Sequence, residues 1–175
     1  MDKRVVANQK VKDSLLNALI ELAEQCNWST ISITALIKQA GVARSSFYRN
    51  FSSIEDIIDY GIAKINEKYN QENPSPDENF RNKELMYFKF RFFKEHASLL
   101  LTFHHAQTPQ TLLAVINDFV VDTYGDMPAS SISKYELYYY SGAFYNMVIH
   151  WLENGAKESP EDMANEFLRI ANARD

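Results

Sequence analysis

The chain has 175 residues, of which 46% are apolar, enough for one large or two small domains with a sizeable core. The chain has only five Gly and five Pro, which disfavours a turn-rich all-β fold. It has no run of about 18 apolar residues, so no segment is expected to span a membrane. The net charge of −5 is unevenly divided: residues 1–53 carry seven Lys/Arg against four acids (+3), and the rest carries 11 against 19 (−8). This division permits a DNA-facing N-terminal segment on an acidic body.

The first residues, MDKRVVANQKVKDSLL, are charged and lack the apolar core of a signal peptide, which predicts a cytoplasmic protein. The single Cys26 cannot form a disulfide within the chain, in agreement with a reducing compartment. Because its neighbours indicate a helix, we expect Cys26 to be buried rather than redox-active.

Three helices are predicted before residue 53. The first runs over Asn8–Cys26, and the second begins at a Ser32 cap and ends at Gly41, which adopts the left-handed conformation at little cost. The third covers Arg44–Asn50. Apolar residues three or four positions apart are expected to face the core: Val11, Leu15, Leu19, Leu22 and Cys26 in the first helix, Ile33, Leu36, Ile37 and Ala40 in the second, and Phe47 and Phe51 at the third.

The rest of the chain is also predicted to be helical. A fourth helix begins at Ser53, where Ser53 and Asp56 resemble a capping pair, and continues to Tyr69. After a loop over 71–79, helices are expected at Arg81–His96, Ala97–His105, Pro109–Tyr124, Ile132–Asn154 and Pro160–Ala173. The expected fold is all-α, with a three-helix domain over residues 1–53 and a larger helical domain over 54–175.

Two short helices joined by a tight glycine turn form a helix-turn-helix, whose second helix enters the major groove of DNA. Arg44 can give paired hydrogen bonds to guanine, and the small Ser45 and Ser46 allow close approach. Tyr48 and Arg49 suit phosphate contacts. Contacts to DNA phosphates are also expected from the start of the second helix, near Ser32 and Thr34. Lys10, with Lys3 and Arg4, is expected to reach the DNA backbone or the minor groove from a flexible arm. The alternative is a plain pair of surface helices.

The whole segment SITALIKQAGVARSSFYRNFSSIEDII resembles the head of the TetR family of transcriptional regulators. The residues in register with the family pattern are Ala40, Gly41, Val42, Ser46, Phe47, Tyr48 and Phe51, and the resemblance covers residues 8–60. Two positions depart from the pattern: Ala43 replaces a capping Ser or Thr, and Ile54 replaces a lysine that commonly touches phosphate. Both departures indicate weaker or altered DNA docking.

Seventeen of the 23 aromatic residues lie at or after position 80. They fit a helical core with a subunit interface, or a pocket for a small apolar or aromatic effector, which the family resemblance favours. The residues expected to line such a pocket are Tyr87, Phe90, Phe103, His104, Tyr139, Phe144 and Met147.

Specific binding normally needs two half-sites, so a palindromic operator and a homodimer are expected. The resemblance implies a DNA-binding domain over residues 1–53 and a domain for effector binding and dimerisation over 54–175. It also implies that the last two helices of each chain pack across a two-fold axis. The expected interface residues are Tyr138, Ser141, Gly142, Tyr145, Ile149 and Leu152. The alternative is that these helices only build the core of one chain.

No metal or other cofactor is expected, since the adjacent His104 and His105 should diverge by about 100° on a helix and no HxxxH or CxxC accompanies them. No phosphate loop or catalytic set is recognisable, so enzyme activity is not predicted.

The expected function is a sequence-specific DNA-binding regulator, a repressor released by an effector. The main alternative is an adaptor or co-activator that acts through a protein partner; a helical enzyme is a third.

Overall fold

The computed structural model describes residues 3–74, 80–106 and 132–173, and within these ranges the secondary structure is helical without strands. The predicted all-α fold is thereby confirmed. The helices are α1 (Lys3–Gln25), α2 (Ile33–Ala40), α3 (Arg44–Asn50), α4 (Glu55–Glu72), α5 (Lys83–Glu95), α6 (Ala97–His105), α7 (Ile132–Glu153) and α8 (Pro160–Asn172), with a 3-10 turn at Trp28–Thr30. The helix predicted over Pro109–Tyr124 lies outside the described residues.

The chain divides into two compact units, Met1–Lys68 and Tyr69–Asp175. The assignment of DNA binding to residues 1–53 remains a prediction about function within the first unit. None of the helices in the described ranges is both long enough and apolar enough to cross a lipid bilayer.

Helix α1 supplies much of the core of the first unit. It buries Leu15, Leu16 and Leu19 and packs against α2 and α3. It begins at Lys3, five residues before the predicted start, because the first ten residues contain no Gly or Pro to stop the helix. The expectation of a flexible basic arm was therefore wrong: Lys3, Arg4 and Lys10 all belong to α1.

Cys26 follows the last residue of α1 and is exposed, so the prediction of a buried cysteine was also wrong. The physical reason is the end of the helix. Beyond Gln25, the Asn27 side chain accepts a hydrogen bond from the Ser29 amide at 3.0 Å and starts the 3-10 turn, so the apolar stripe does not extend to Cys26.

Helices α2 and α3 have the predicted limits. The Ser32 hydroxyl accepts a hydrogen bond from the Ala35 amide at 3.2 Å, and Gly41 ends α2 with φ 64° and ψ 29°. Phe47 and Phe51 are buried, as predicted. At α4, the Asp56 carboxylate accepts hydrogen bonds from the amides of Ser52 and Ser53, and the Ser53 hydroxyl accepts one from the Asp56 amide, which confirms the predicted capping pair.

The second unit has an aromatic core in which α5 packs against α6, α7 and α8. The Phe90 ring lies 5.2 Å from the Phe144 ring and 5.7 Å from the Trp151 ring, centroid to centroid. Phe167 of α8 lies 5.9 Å from Phe144 in an edge-to-face arrangement. Such geometry is favourable because the positive edge of one ring meets the negative face of the next. Helix α7 ends at Glu153, and Gly155 follows with φ 82°, close to the predicted stop.

Candidate nucleic-acid interface

The orientation of α3 is set by Phe47. Its side chain is 0% exposed, 5.1 Å from the Tyr48 ring and 6.4 Å from the Phe51 ring, measured between centroids. A seven-residue helix has little stability of its own, so the burial of this ring holds α3 in place.

The opposite side of α3 is presented to solvent. Arg44, Ser45, Tyr48 and Arg49 are exposed, whereas Ser46 is half-buried. These are the positions that the sequence assigned to base and phosphate contacts. The exposed side chains combine a forked cation, a small hydroxyl, a phenol and a second cation, which are the donors used on base edges and phosphates.

The turn before α3 is built by backbone hydrogen bonds. The Gly41 amide donates to the carbonyls of Ile37 and Lys38, and the Val42 amide donates to Ile37 at 3.2 Å. Such an ending needs a left-handed residue, which glycine adopts without a Cβ clash. Ala43, the N-cap of α3, makes no side-chain cap hydrogen bond, as expected from its replacement of a Ser or Thr.

Arg44 and Tyr48 contact each other along the exposed side of α3. An Arg44 Nη2–H donates to the Tyr48 hydroxyl at 3.2 Å, and the guanidinium carbon lies 5.4 Å from the centroid of the Tyr48 ring. A guanidinium carries five N–H donors, so this contact leaves most of the fork available. The stacking restricts the arginine to fewer rotamers before any ligand arrives.

The other predicted contacts lie on α1, on α2 and at the α2 cap. Ser32 and Thr34 flank the first residue of α2, and both are exposed, although the Ser32 hydroxyl already accepts the capping hydrogen bond. Lys10 is exposed on α1. Their contacts with DNA remain predictions.

A polar cluster joins α1 to α4, and sequence reasoning did not identify it. The Tyr60 hydroxyl donates to Asp13 at 2.6 Å, Lys64 pairs with Asp13 at 2.5 Å, and Gln9 donates to the Tyr60 hydroxyl. Burial raises the pKa of Asp13, but the hydrogen bonds from Lys64 and Tyr60 and the charge of Lys64 outweigh it and leave the pKa below its usual value. Burial and the Asp13 carboxylate raise the pKa of Tyr60 to about 12.

The predicted effector residues occupy different environments in the second unit. Phe90, Phe103 and Phe144 are buried in its packed core, Met147 and His104 are half-buried, and Tyr139 is exposed. Tyr87 lines a cleft of about 390 Å³ between α5 and α8, together with Lys83, Glu84, Glu161 and Ala164. The charged members of this lining carried no sequence signal for a pocket, since lysine and glutamate are ordinary surface residues of helices.

The residues predicted for the dimer interface also differ in burial. Ser141, Ile149 and Leu152 are buried by the chain's own helices, Gly142 and Tyr145 are half-buried, and Tyr138 is exposed. Helix α7 also exposes Tyr135 and Tyr139. A Cβ at Gly142 would meet nothing within 4 Å.

Comparison with known proteins identifies the class to which this arrangement belongs. A family model described as "Transcriptional regulator C-terminal region" matches residues 82–173, and one described as "Bacterial regulatory proteins, tetR family" matches residues 15–60. The fold is similar to that of a TetR transcriptional regulator from Streptococcus agalactiae 2603V, with a TM-score of 0.69 at 20% sequence identity over 95% of this chain and 96% of that one. No curated protein matches the sequence.

A helix-turn-helix head followed by a helical body defines a class of transcription regulators. The chain belongs to the TetR family of transcriptional regulators, and the resemblance found in the sequence is confirmed. Membership implies a DNA-binding regulator.

Proposed function

We propose that this chain is a homodimeric, cytoplasmic repressor that binds a palindromic operator and is released when a small apolar or aromatic effector binds to the body. The observation that carries the proposal is the two-sided nature of α3, with Phe47 fully buried and Arg44, Ser45, Tyr48 and Arg49 exposed. A recognition helix needs this division because one side must be fixed to the protein and the other must meet base edges.

The roles of the two arginines can be separated by their salt and sequence dependence. Arg44→Ala is expected to relax base preference at one operator position, at a cost of about 1–3 kcal/mol on the preferred site. Arg49→Ala is expected to weaken binding to all sequences alike and to reduce the slope of log affinity against log salt by about one. The measurement is binding to a palindrome from the flanking DNA at two salt concentrations.

Arg91→Ala is the matched control, since it removes the same charge from an exposed position on α5, a helix outside the expected dimer interface. It should leave both the base preference and the salt slope unchanged. If neither Arg44→Ala nor Arg49→Ala changes binding to a verified operator, the assignment of α3 as the recognition helix is wrong.

The effector part of the proposal is supported by the cleft at Tyr87. Its volume is within the range of small-molecule sites, and its lining combines an aromatic ring with a few charged groups. An effector that binds one conformation of the body shifts the population away from the form that fits DNA. Small aromatic compounds that raise the melting temperature of the protein should therefore release the operator when they are added to the protein–DNA complex. Compounds that bind the protein without releasing DNA would contradict this mechanism.

The uncapped start of α3 favours a second candidate, an adaptor or co-activator that binds mainly a protein partner. Ala43 makes no cap hydrogen bond, and Ile54 takes the place of a phosphate-contacting lysine. A single stoichiometric protein partner together with no footprint on DNA would support this candidate over the repressor.

A further inference from the structure

Two histidines and a glutamate meet where the last turn of α6 lies beside the last turn of α7. The Nε2 atoms of His104 and His105 lie 3.9 Å and 3.5 Å from the same oxygen, Oε1 of Glu153. The potential ligand atoms of all three residues lie within 4.8 Å of one another. Although neighbouring residues on a helix point about 100° apart, the two histidine rings, 5.4 Å apart, both turn toward one carboxylate from another helix.

The distances from Glu153 to the two histidines are close to the ligand spacing of a metal site. Zinc lies about 2.0–2.1 Å from imidazole nitrogen and about 2.0–2.2 Å from carboxylate oxygen, so ligand atoms in a tetrahedral site are about 3.3–3.5 Å apart. The two distances to Glu153 are at or slightly above this value. The His105 side chain is 50% exposed and the other two are 30–36% exposed, so small rotations are sterically possible.

The orientation of the His104 ring also suits a metal ligand. Its Nδ1 lies 2.6 Å from the Tyr145 hydroxyl. Histidines that bind metal usually donate the other ring N–H to an oxygen, which fixes the tautomer and leaves the Nε2 lone pair free. In this tautomer Nδ1–H donates to the Tyr145 oxygen and Nε2 faces Glu153.

We propose that His104, His105 and Glu153 bind one divalent transition-metal ion of the zinc class and so connect the end of α6 to the end of α7. Two imidazoles and a carboxylate suit zinc, cobalt, nickel or iron(II), whereas magnesium and calcium prefer all-oxygen sites. Three protein ligands leave a coordination position for water or for His150, whose Nδ1 lies 3.6 Å from Glu153 Oε2. This site goes beyond the proposed repressor function and does not depend on it.

The test is a titration of the full-length, chelator-treated protein with Zn²⁺, followed by competition with a chromophoric chelator. We expect one ion per chain, and a visible ligand-field spectrum when Co²⁺ replaces Zn²⁺. His105→Ala and Glu153→Gln should each weaken Zn²⁺ binding by more than about 100-fold, because each removes a ligand. Tyr145→Phe should weaken it by about 10- to 100-fold, since it removes only the hydrogen bond that orients His104.

Glu158→Gln is the matched control, since it neutralises an exposed glutamate outside the cluster. It should bind Zn²⁺ as the unmodified protein does, and circular dichroism should show all variants to be equally helical. Absence of stoichiometric Zn²⁺ binding by the unmodified protein would overturn the proposal. So would an affinity that is unchanged in both His105→Ala and Glu153→Gln.

Discussion

Asp13 is one of the residues that connect α1 with α4. Its carboxylate accepts hydrogen bonds from Tyr60 and Lys64, residues 47 and 51 positions away. The side chains of Lys64 and Asp13 are 51% and 35% exposed, so solvent screening limits the ion pair to at most about 1 kcal/mol. The contact matters because it lies within the unit that carries α3.

The lowered pKa of Asp13 predicts a stability contribution that depends on pH. A carboxylate whose pKa is lower in the folded state stabilises the fold above its unfolded pKa, here 3.8, and loses that effect as pH falls through the folded value. Asp13→Asn should therefore be less stable than the unmodified protein near about pH 6, and the difference should shrink below about pH 4. Urea unfolding at several pH values measures this.

At alkaline pH the dependence of stability on pH has the opposite direction, because the contribution of Tyr60 is lost as pH rises. The pKa of Tyr60 is raised to about 12, so its contribution to stability is complete below the ordinary value of 10.0 and is lost as pH rises through 12.

Tyr60→Phe serves as the control for Asp13→Asn at low pH, because it removes one hydrogen-bond donor to Asp13 but keeps the carboxylate. A stability difference for Asp13→Asn that stays constant from neutral to acid pH would contradict the assigned role.

At the scale of elements, α2 and α3 differ in how their first turns are satisfied. Ser32 caps α2 through its hydroxyl, whereas Ala43 leaves the first amides of α3 without a side-chain partner. Ala43 already has the extended conformation of an N-cap, with φ −71° and ψ 145°. A serine at this position needs no change of backbone to form the missing hydrogen bond.

Ala43→Ser is expected to stabilise the protein by about 1 kcal/mol, because its hydroxyl can accept an amide hydrogen of the first turn of α3. Ser32→Ala is the matched opposite and is expected to destabilise by a similar amount. Thermal unfolding should show shifts of a few degrees in opposite directions. If Ala43→Ser lowers the melting temperature, the uncapped state of α3 is not what limits its stability.

At the scale of the whole molecule, an aromatic surface on α7 supports the proposed homodimer. Tyr135, Tyr138 and Tyr139 are 65%, 39% and 46% exposed on this helix. Tyr138 and Tyr139 follow Tyr135 by three and four positions, so they lie near one another on α7 and close to Gly142, where an added Cβ would meet no atom within 4 Å beyond the local helix backbone. Clustered exposed apolar groups mark interaction sites.

The combined change Tyr135→Glu and Tyr138→Glu is expected to convert the proposed dimer to a monomer, because it would place two charges in the proposed desolvated interface. Sedimentation velocity at micromolar concentration measures the oligomeric state. Tyr87→Glu is the control, since Tyr87 is a similarly exposed aromatic residue on α5. A monomeric unmodified protein, or a double variant that stays dimeric, would show that this surface is not the interface.

Structural features that are caused by residues close together in the sequence were predicted better than features that depend on distant residues. The α3 limits at Arg44 and Asn50 followed from Gly41 and from two phenylalanines four positions apart. The start of α1 and the exposure of Cys26 were missed because a periodic stripe does not report where a helix ends. Phe90, Phe103 and Phe144 belong to the packed core, although their composition suits a pocket lining equally well.

The helical fold, the helix-turn-helix and the family could be predicted from the sequence, because caps, glycine conformation and apolar spacing act over a few residues. The contacts between distant groups could not be predicted in this way. Asp13 with Tyr60, and His104 with Tyr145, are separated by 47 and 41 positions. Such pairs depend on how whole helices pack, and packing is decided by the combined burial of many side chains rather than by any motif that includes the pair.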